Sequence, residues 1–180
     1  MKKYTVRSTY TGAESAARRA ADVVITLFLC GLAVFAFFYF FFVPVETAEP
    51  RVQGIDSGDM VLVDRLAKYF TGFKAGDIVR ADMGSGMTMY RVAAVGGSEI
   101  TVRGGRLYVD GALLEEPYAS GLSEDADAVF TVGDGMLLLL PDDRQGMNGW
   151  DIASSITPVA AIYGKVRLRI YPINKLNLYV

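Results

Sequence analysis

Two features of the composition limit the chemistry that the side chains of this chain can carry. The 180-residue sequence contains no histidine and a single cysteine, Cys30. Histidine-based catalytic triads, histidine general bases and histidine metal sites are therefore excluded. One cysteine forms neither an internal disulfide nor a cysteine-rich zinc site. Any reaction must use Ser, Thr, Lys, Tyr, Asp or Glu side chains, and we expect no metal and no other cofactor.

The composition also restricts the class of protein and its partners. The chain is 52 % hydrophobic, which excludes a disordered tail or linker. Its formal net charge is −2, so it has no overall basic excess to hold a phosphate backbone. We expect a folded domain and no nucleic-acid partner.

A long apolar segment precedes the rest of the chain. Residues 23–43 form an uncharged run of 21 residues that ends at Pro44. A helix of that length spans about 30 Å, the thickness of a bilayer core. The alternative is a cleaved signal peptide, but its apolar core is usually shorter, and Glu46 lies unfavourably close to any cleavage site. The pattern favours a retained transmembrane helix, in which Cys30 is a small apolar filler.

The flanking charges predict how this helix is oriented. Five basic residues precede the apolar run, against two acidic ones, which places this end in the cytoplasm. We therefore predict a cytoplasmic basic N-terminus at 1–22, a transmembrane helix at 23–43 and an extracytoplasmic domain at 44–180. The protein would be a single-pass protein of the cell membrane.

Residues 44–180 are divided into short apolar stretches separated by turn residues. Runs rich in Val, Ile, Leu and Tyr alternate with Gly, Asp and Ser, which is typical of an antiparallel β domain. Turn signals at Gly104-Gly105, Asp110-Gly111 and 133–135 each predict a hairpin. Residues 65–70 are the one candidate helical turn, and the acidic stretch 119–128 is expected to be a surface loop.

Several motifs occur in a characteristic order. Two Gly-Asp pairs begin at Gly58 and Gly76, 18 residues apart, and each precedes an apolar run. The following motifs come after them: Tyr90-Arg91-Val92, residues 105–111, Glu116-Pro117-Tyr118, Asp142-Asp143-Arg144, residues 162–166 and Tyr171-Pro172. In this order the motifs resemble the bacterial type I signal peptidases.

That resemblance implies a mainly β fold, with an N-terminal transmembrane helix followed by an antiparallel β domain of signal-peptidase type. It implies a serine peptidase that removes signal peptides from secreted proteins at the outer membrane face. Members use a Ser–Lys dyad, in which a lysine in apolar surroundings is the general base for the serine. Neither histidine nor a metal is required, which agrees with the composition.

The sequence departs from the family pattern at both catalytic positions. Counting back from Gly58 places Pro50 where the family has its serine, and Tyr90 stands where it has its lysine. Proline has no nucleophile, and an unperturbed tyrosine, with a pKa of about 10, is a poor base. Other family positions are retained: Gly58, Asp59, Gly76, Asp77, Arg91, Asp142 and Arg144.

A relocated dyad is the alternative to this loss. Ser57 is the candidate nucleophile, with Lys68 and Lys74 nearby in sequence. The simpler interpretation makes residues 56–59 a turn in which side chains cap the backbone. The two lysines are then solvated heads on apolar stems.

The retained charges and the exposed aromatic candidates each have two interpretations. Asp142 and Arg144 form either an inward ion pair or a surface pair of little energetic value. Arg91 either braces Asp142 or faces solvent. Trp150 either anchors a partner or pins its own loop. Leu66, Tyr69, Phe70 and Phe73 either touch the bilayer or a partner, or belong to the edge of the core.

Three functions follow from these observations. The first is a non-catalytic signal-peptidase-like protein that binds secreted preproteins or pilin subunits and assists their assembly. Degenerate members of the family occur beside genes for Gram-positive pili. The second is an active, divergent signal peptidase with a relocated nucleophile such as Ser57. The third is a structural surface protein whose groove binds nothing. We favour the first.

Overall fold

A computed structural model describes residues 12–84, 86–124 and 126–179, and the side chains from residue 16 onward. The chain divides between Phe40 and Phe41 into two compact units. The predicted cytoplasmic basic segment lies partly outside the described residues, because Lys2, Lys3 and Arg7 fall in 1–11.

One long helix, α1, occupies Gly12–Phe41. Its part Ala16–Phe41 is long and apolar enough to cross a membrane. The helix ends before Pro44, and Phe42 and Val43 lie in the first strand instead of extending the helix. The reason is local: proline disfavours the helical conformation of the residue before it and has no N–H to donate.

The second unit is mainly antiparallel β structure, which confirms the predicted fold class. Its strands are β1 Phe42–Glu46, β2 Met60–Asp64, β3 Ile78–Asp82, β4 Met87–Val95, β5 Glu99–Arg103, β6 Arg106–Val109, β7 Ala112–Leu113, β8 Ala128–Thr131, β9 Met136–Leu140, β10 Ile156–Pro158, β11 Ile162–Tyr171 and β12 Asn177–Leu178. A large sheet has the order β1-β2-β11-β3-β4-β9-β10, with β12 beside β11. A smaller sheet has the order β7-β6-β5-β8.

Two of the three predicted hairpins are present. Strands β5 and β6 pair around Gly104-Gly105, and β6 and β7 pair around Asp110-Gly111. Asp110 and Gly111 have φ values of 52° and 79°, as a two-residue turn with positive φ at both central positions requires.

The third predicted hairpin, at 133–135, is wrong. Strand β8 pairs with β5 in the small sheet, whereas β9 pairs with β4 and β10 in the large one. The turn carries the chain from the small sheet to the large one. It lies beside Gly96, where the chain passes from β4 of the large sheet to β5 of the small one. A Cβ at Gly96 would lie 2.8 Å from the Gly133 carbonyl oxygen, so glycine lets the two crossings pack together.

Two short helices interrupt the strands. The predicted turn at 65–70 is the helix α2, Ala67–Phe70. A second helix, α3, spans Gly149–Ser154 where the sequence indicated a loop. Its signal was a capping box, since the Asn148 side chain accepts from the helix N-terminus and the Asp151 side chain accepts from the Asn148 N–H. The predicted loop at 119–128 has no regular structure among its described residues before Ala128, which begins β8.

Buried apolar side chains form three clusters in the second unit. One joins the small sheet to β9 and α3 through Ile100, Leu138 and Ile152. Another holds the loop residues Val52 and Ile55 against β2. The third lies around β3, β4 and β9 and includes Tyr90. The loop after β1 and the strand β4 are therefore both fixed by core packing.

Candidate functional site

Pro50 and Tyr90, the two positions that the resemblance assigns to the catalytic serine and lysine, lie in one neighbourhood of the structure. Pro50 lies in the loop after β1, and Tyr90 lies in β4. The guanidinium carbon of Arg51, the residue after Pro50, lies 5.8 Å from the centre of the Tyr90 ring. Tyr90 is 3 % exposed and belongs to a core cluster. An aromatic side chain thus fills this position as part of the core.

A narrow slot separates the loop after β1 from the first half of β4. Strand β3 pairs with residues 87–91 of β4, but β9 pairs only with residues 91–95. Residues 46–50 line a cavity of about 60 Å³ together with residues 87–89. The Thr88 hydroxyl donates to the Glu49 carbonyl oxygen and ties the two sides of the slot together.

A wider cleft adjoins the slot at Pro50. It has a volume of about 660 Å³ and is lined by residues 50–53 on one side and 141–143 on the other, with Ser120 and Gln145. Asp142 and Asp143 of the Asp142-Asp143-Arg144 motif therefore face the same cleft as the matched serine position, Pro50. This volume is within the range of ligand-binding clefts.

Asp142 fixes one wall of this cleft to the other. Its Oδ1 accepts from Arg91 Nε at 2.9 Å, and its Oδ2 accepts from Arg91 Nη2 and from the Gln53 N–H, both at 2.7 Å. The Asp142 N–H donates to the Arg51 carbonyl oxygen at 2.8 Å. Of the two interpretations of Arg91, the one in which it braces Asp142 is observed.

The surroundings of Arg91 keep it charged. Burial lowers the pKa of the Arg91 guanidinium, but the hydrogen bonds and charge of Asp142 outweigh burial and leave this pKa above its usual value. The guanidinium also lies 3.8 Å from the centre of the Tyr118 ring. Burial, followed by the charge of Glu116, raises the pKa of Tyr118 to about 12. Tyr118 is therefore a neutral phenol near pH 7 and no general base.

Arg144 does not pair with Asp142, so the predicted pair between these two residues is wrong. The Arg144 side chain is 2 % exposed, and its Nη2 lies 2.8 Å from Glu116 Oε1. Its Nε donates to the Pro141 carbonyl oxygen at 2.8 Å. Asp142 and Arg144, two residues apart in this loop, therefore have different partners. The carboxylate that binds Arg144 belongs to Glu116, 28 residues earlier.

The aspartates of the two Gly-Asp pairs are also bound within the fold. Asp59 Oδ2 lies 3.2 Å from Arg169 Nη1, and Asp77 Oδ1 lies 2.7 Å from Lys165 Nζ. Both cations come from β11. Gly58 and Gly76 precede these aspartates with φ of +85° and +90°, a conformation that favours glycine. The retained motif positions therefore hold the scaffold together, and their charges are already paired.

The candidate nucleophile Ser57 is exposed in a turn, and its Oγ donates to the Ala48 carbonyl oxygen at 2.6 Å. Among the described residues, neither Lys68 nor Lys74 contacts Ser57; Lys68 Nζ lies 5.2 Å from the centre of the Tyr69 ring.

Lys175, which sequence reasoning missed, does reach the turn that holds Ser57. Its Nζ lies 2.8 Å from Asp56 Oδ2. The hydrogen bond and charge of Asp56 raise the pKa of Lys175, so this amine stays protonated and is no base. No local signal marks Lys175, which is 119 residues away from Asp56 in sequence.

The aromatic candidates differ in exposure. Trp150 is 80 % exposed on α3, which excludes the role of pinning its own loop. Tyr69 and Phe70 are 72 % and 80 % exposed on α2. Phe73 packs against a core cluster, as the core-edge interpretation predicts.

No group of three or more Cys, Asp or Glu side chains in the described part of the chain is arranged to hold a metal ion. The groups that line the cleft and face a ligand are hydrogen-bonding side chains, the exposed carboxylate of Asp143 and one exposed cation, Arg51.

Comparison with known proteins identifies a protein family and a similar solved structure. A family model described as signal peptidase, peptidase S26, matches residues 17–171. Among 16 matching chains of solved structures is a signal peptidase I from Enterococcus faecalis V583. It has a TM-score of 0.42 and 19 % sequence identity, and the match covers 52 % of this chain and 96 % of that one. The comparison with curated proteins gave no match.

Proposed function

Since the chain belongs to the signal peptidase family, peptidase S26, we propose that it is a member that binds secreted chains without cutting them. The carrying observation is the identity of the residues at the two matched positions. Pro50 offers no nucleophile, and Tyr90 is packed into the core beneath Arg51. The family consists of serine peptidases, so a chain that lacks the serine and the lysine at these positions lacks the reactive pair.

The remaining geometry suits an extended peptide. Residues 87–89 of β4 pair with β3 on one side, and on the other side the narrow slot, closed by the Thr88–Glu49 hydrogen bond, leaves no room for a further strand. The adjacent cleft of about 660 Å³ is wide enough for an extended peptide segment and its side chains. We propose that the ligands are secreted preproteins, pilin subunits among them, and that the protein assists their assembly at the outer membrane face.

The alternative of a relocated active site at Ser57 has less support. The Ser57 hydroxyl is bound to a carbonyl oxygen, and Lys175, the amine that reaches this turn, is paired with Asp56. General-base catalysis requires hydrogen-bond reach between base and nucleophile before any question of pKa. The third function, a groove that binds nothing, predicts that no peptide binds in the cleft.

A cleavage assay tests the loss of catalysis. The full-length protein in detergent is incubated with a preprotein beside an authentic signal peptidase. We expect cleavage several orders of magnitude slower than by the authentic enzyme, as is typical when catalytic residues are removed. Ser57→Ala is expected to change nothing. Ser154→Ala is the matched control, because Ser154 is also exposed and also donates to a main-chain carbonyl oxygen. Cleavage that disappears in Ser57→Ala alone would show a relocated active site.

We propose that α1 is a retained anchor with its N-terminus in the cytoplasm. The length of Ala16–Phe41, 26 residues, supports an anchor, and the basic residues before residue 23 support this orientation. Protease added outside intact cells is expected to digest residues 44–180 and leave an N-terminal fragment in the membrane. A chain released into the medium that begins after residue 44 would identify α1 as a cleaved signal sequence.

A further inference from the structure

Arg51 places a cation beside the two positions, Pro50 and Tyr90, that the resemblance assigns to the reactive pair. It follows Pro50 directly, and its guanidinium carbon lies 5.8 Å from the centre of the Tyr90 ring. A guanidinium over an aromatic face is attracted by the negative π-surface of the ring. Tyr90 is itself fixed in the core at 3 % exposure. The Arg51 side chain thus rests on a rigid platform.

The main chain at Arg51 and at the residues that follow it is also fixed. The Arg51 carbonyl oxygen accepts from the Asp142 N–H, and the Gln53 N–H donates to the Asp142 carboxylate. Between them, Val52 is 5 % exposed in a core cluster. A side chain rooted in such a segment loses less conformational entropy on binding a ligand than one on a free loop.

The carboxylates that line the cleft are already bound to other groups. Asp142 holds Arg91 with both oxygens, and Asp143 Oδ1 accepts from the Ser120 hydroxyl and from the Gln145 N–H. Among the described residues, no carboxylate forms an ion pair with Arg51. Arg51 lines the 660 Å³ cleft, and its guanidinium carries five N–H donors.

We propose that Arg51 is the anchor for a carboxylate carried by the extended peptide in this cleft. A guanidinium binds a carboxylate by two parallel hydrogen bonds, the geometry for which arginine is suited. The carboxylate belongs either to an Asp or Glu side chain or to a free C-terminus, the group that peptide-bond hydrolysis leaves on an N-terminal fragment. This inference rests on the proposed peptide-binding function and adds the chemistry by which the site selects.

Three peptides test the proposal on the full-length protein in non-ionic detergent. All are acetylated nine-residue peptides of Ala, Val and Ser: one with a free C-terminal carboxylate, one with a C-terminal amide, and one amide with a central Asp. Isothermal titration calorimetry gives their Kd values. We expect at least one carboxylate peptide to bind about tenfold more tightly than the neutral amide, with a smaller ratio at high salt. The preferred carboxylate peptide identifies the source.

Two variants assign the preference to Arg51. Arg51→Gln is expected to bind all three peptides with the affinity that the wild type has for the neutral amide. Arg103→Gln, which removes an exposed arginine on β5, is expected to keep the preference. Equal wild-type affinities, or a preference that survives in Arg51→Gln, would overturn the carboxylate anchor and leave peptide binding intact. If none of the three peptides binds, the proposed peptide-binding function itself is wrong.

Discussion

Asp142→Ala is expected to lower the free energy of unfolding by about 3–5 kcal/mol, because it leaves a buried guanidinium without its counter-charge. The Asp142 side chain is 1 % exposed, and that of Arg91 is 10 % exposed. Removal of the carboxylate abolishes two hydrogen bonds from Arg91 and the one from the Gln53 N–H. Urea unfolding of the full-length protein, followed by far-UV circular dichroism, measures the change.

Asp143→Ala is the matched control for this prediction. Asp143 is the next residue of the same loop but is exposed, and it binds a hydroxyl and a main-chain N–H instead of a cation. Its loss is expected to cost about 1 kcal/mol or less. Asp142→Ala is also expected to speed hydrogen exchange at the Gln53 amide. An unfolding midpoint equal to that of the wild type would show that the Arg91–Asp142 pair contributes no net stability.

The ion pairs of the domain do not involve the two positions at which we propose that the reactive pair is lost. Pro50 takes part in no ion pair, and Tyr90 adds an apolar ring to the core. By contrast, the retained Asp59, Asp77 and Asp142 each hold a buried or nearly buried cation. Removing one partner of such a pair is strongly destabilising. These motif residues therefore have a role in folding that is independent of catalysis.

Local signals predicted most of the fold and failed where pairing is non-local. The turns at Gly104-Gly105 and Asp110-Gly111 join strands that are paired in one sheet, so the turn residues sufficed. The Gly133 turn has a similar composition, yet the strands around it belong to different sheets. The sheet that each of these strands joins is decided by its partner strand, β5 for β8 and β4 for β9, and these partners lie outside the turn.

The candidate site was predictable as a set of positions but not as a set of contacts. Family spacing predicts that Pro50 and Tyr90 stand at the catalytic positions, and in the structure Arg51, the residue after Pro50, lies over the Tyr90 ring. The partner of Asp142 is Arg91, 51 residues earlier, and the nearer Arg144 turns instead to Glu116. Sequence separation does not rank such alternatives, because strand register and loop direction decide which side chains meet.

The largest remaining effect is expected at the Glu116–Arg144 pair. Glu116→Ala leaves the Arg144 guanidinium, 2 % exposed, as an unpaired charge, since its contact with the Pro141 carbonyl oxygen supplies no counter-charge. We expect a loss of about 3–5 kcal/mol in the free energy of unfolding.

A double replacement separates the value of this pair from the penalty of breaking it. In the Glu116→Met/Arg144→Met double variant no buried charge is left unpaired, and it is expected to be more stable than Glu116→Ala, because two apolar side chains replace a desolvated pair. Exposed Glu115→Ala, one residue away, is the matched control and is expected to lie within about 0.5 kcal/mol of the wild type. If the double variant is instead less stable than the wild type by as much as Glu116→Ala is, the pair contributes attraction beyond its desolvation cost, and the scaffold depends on the charges themselves.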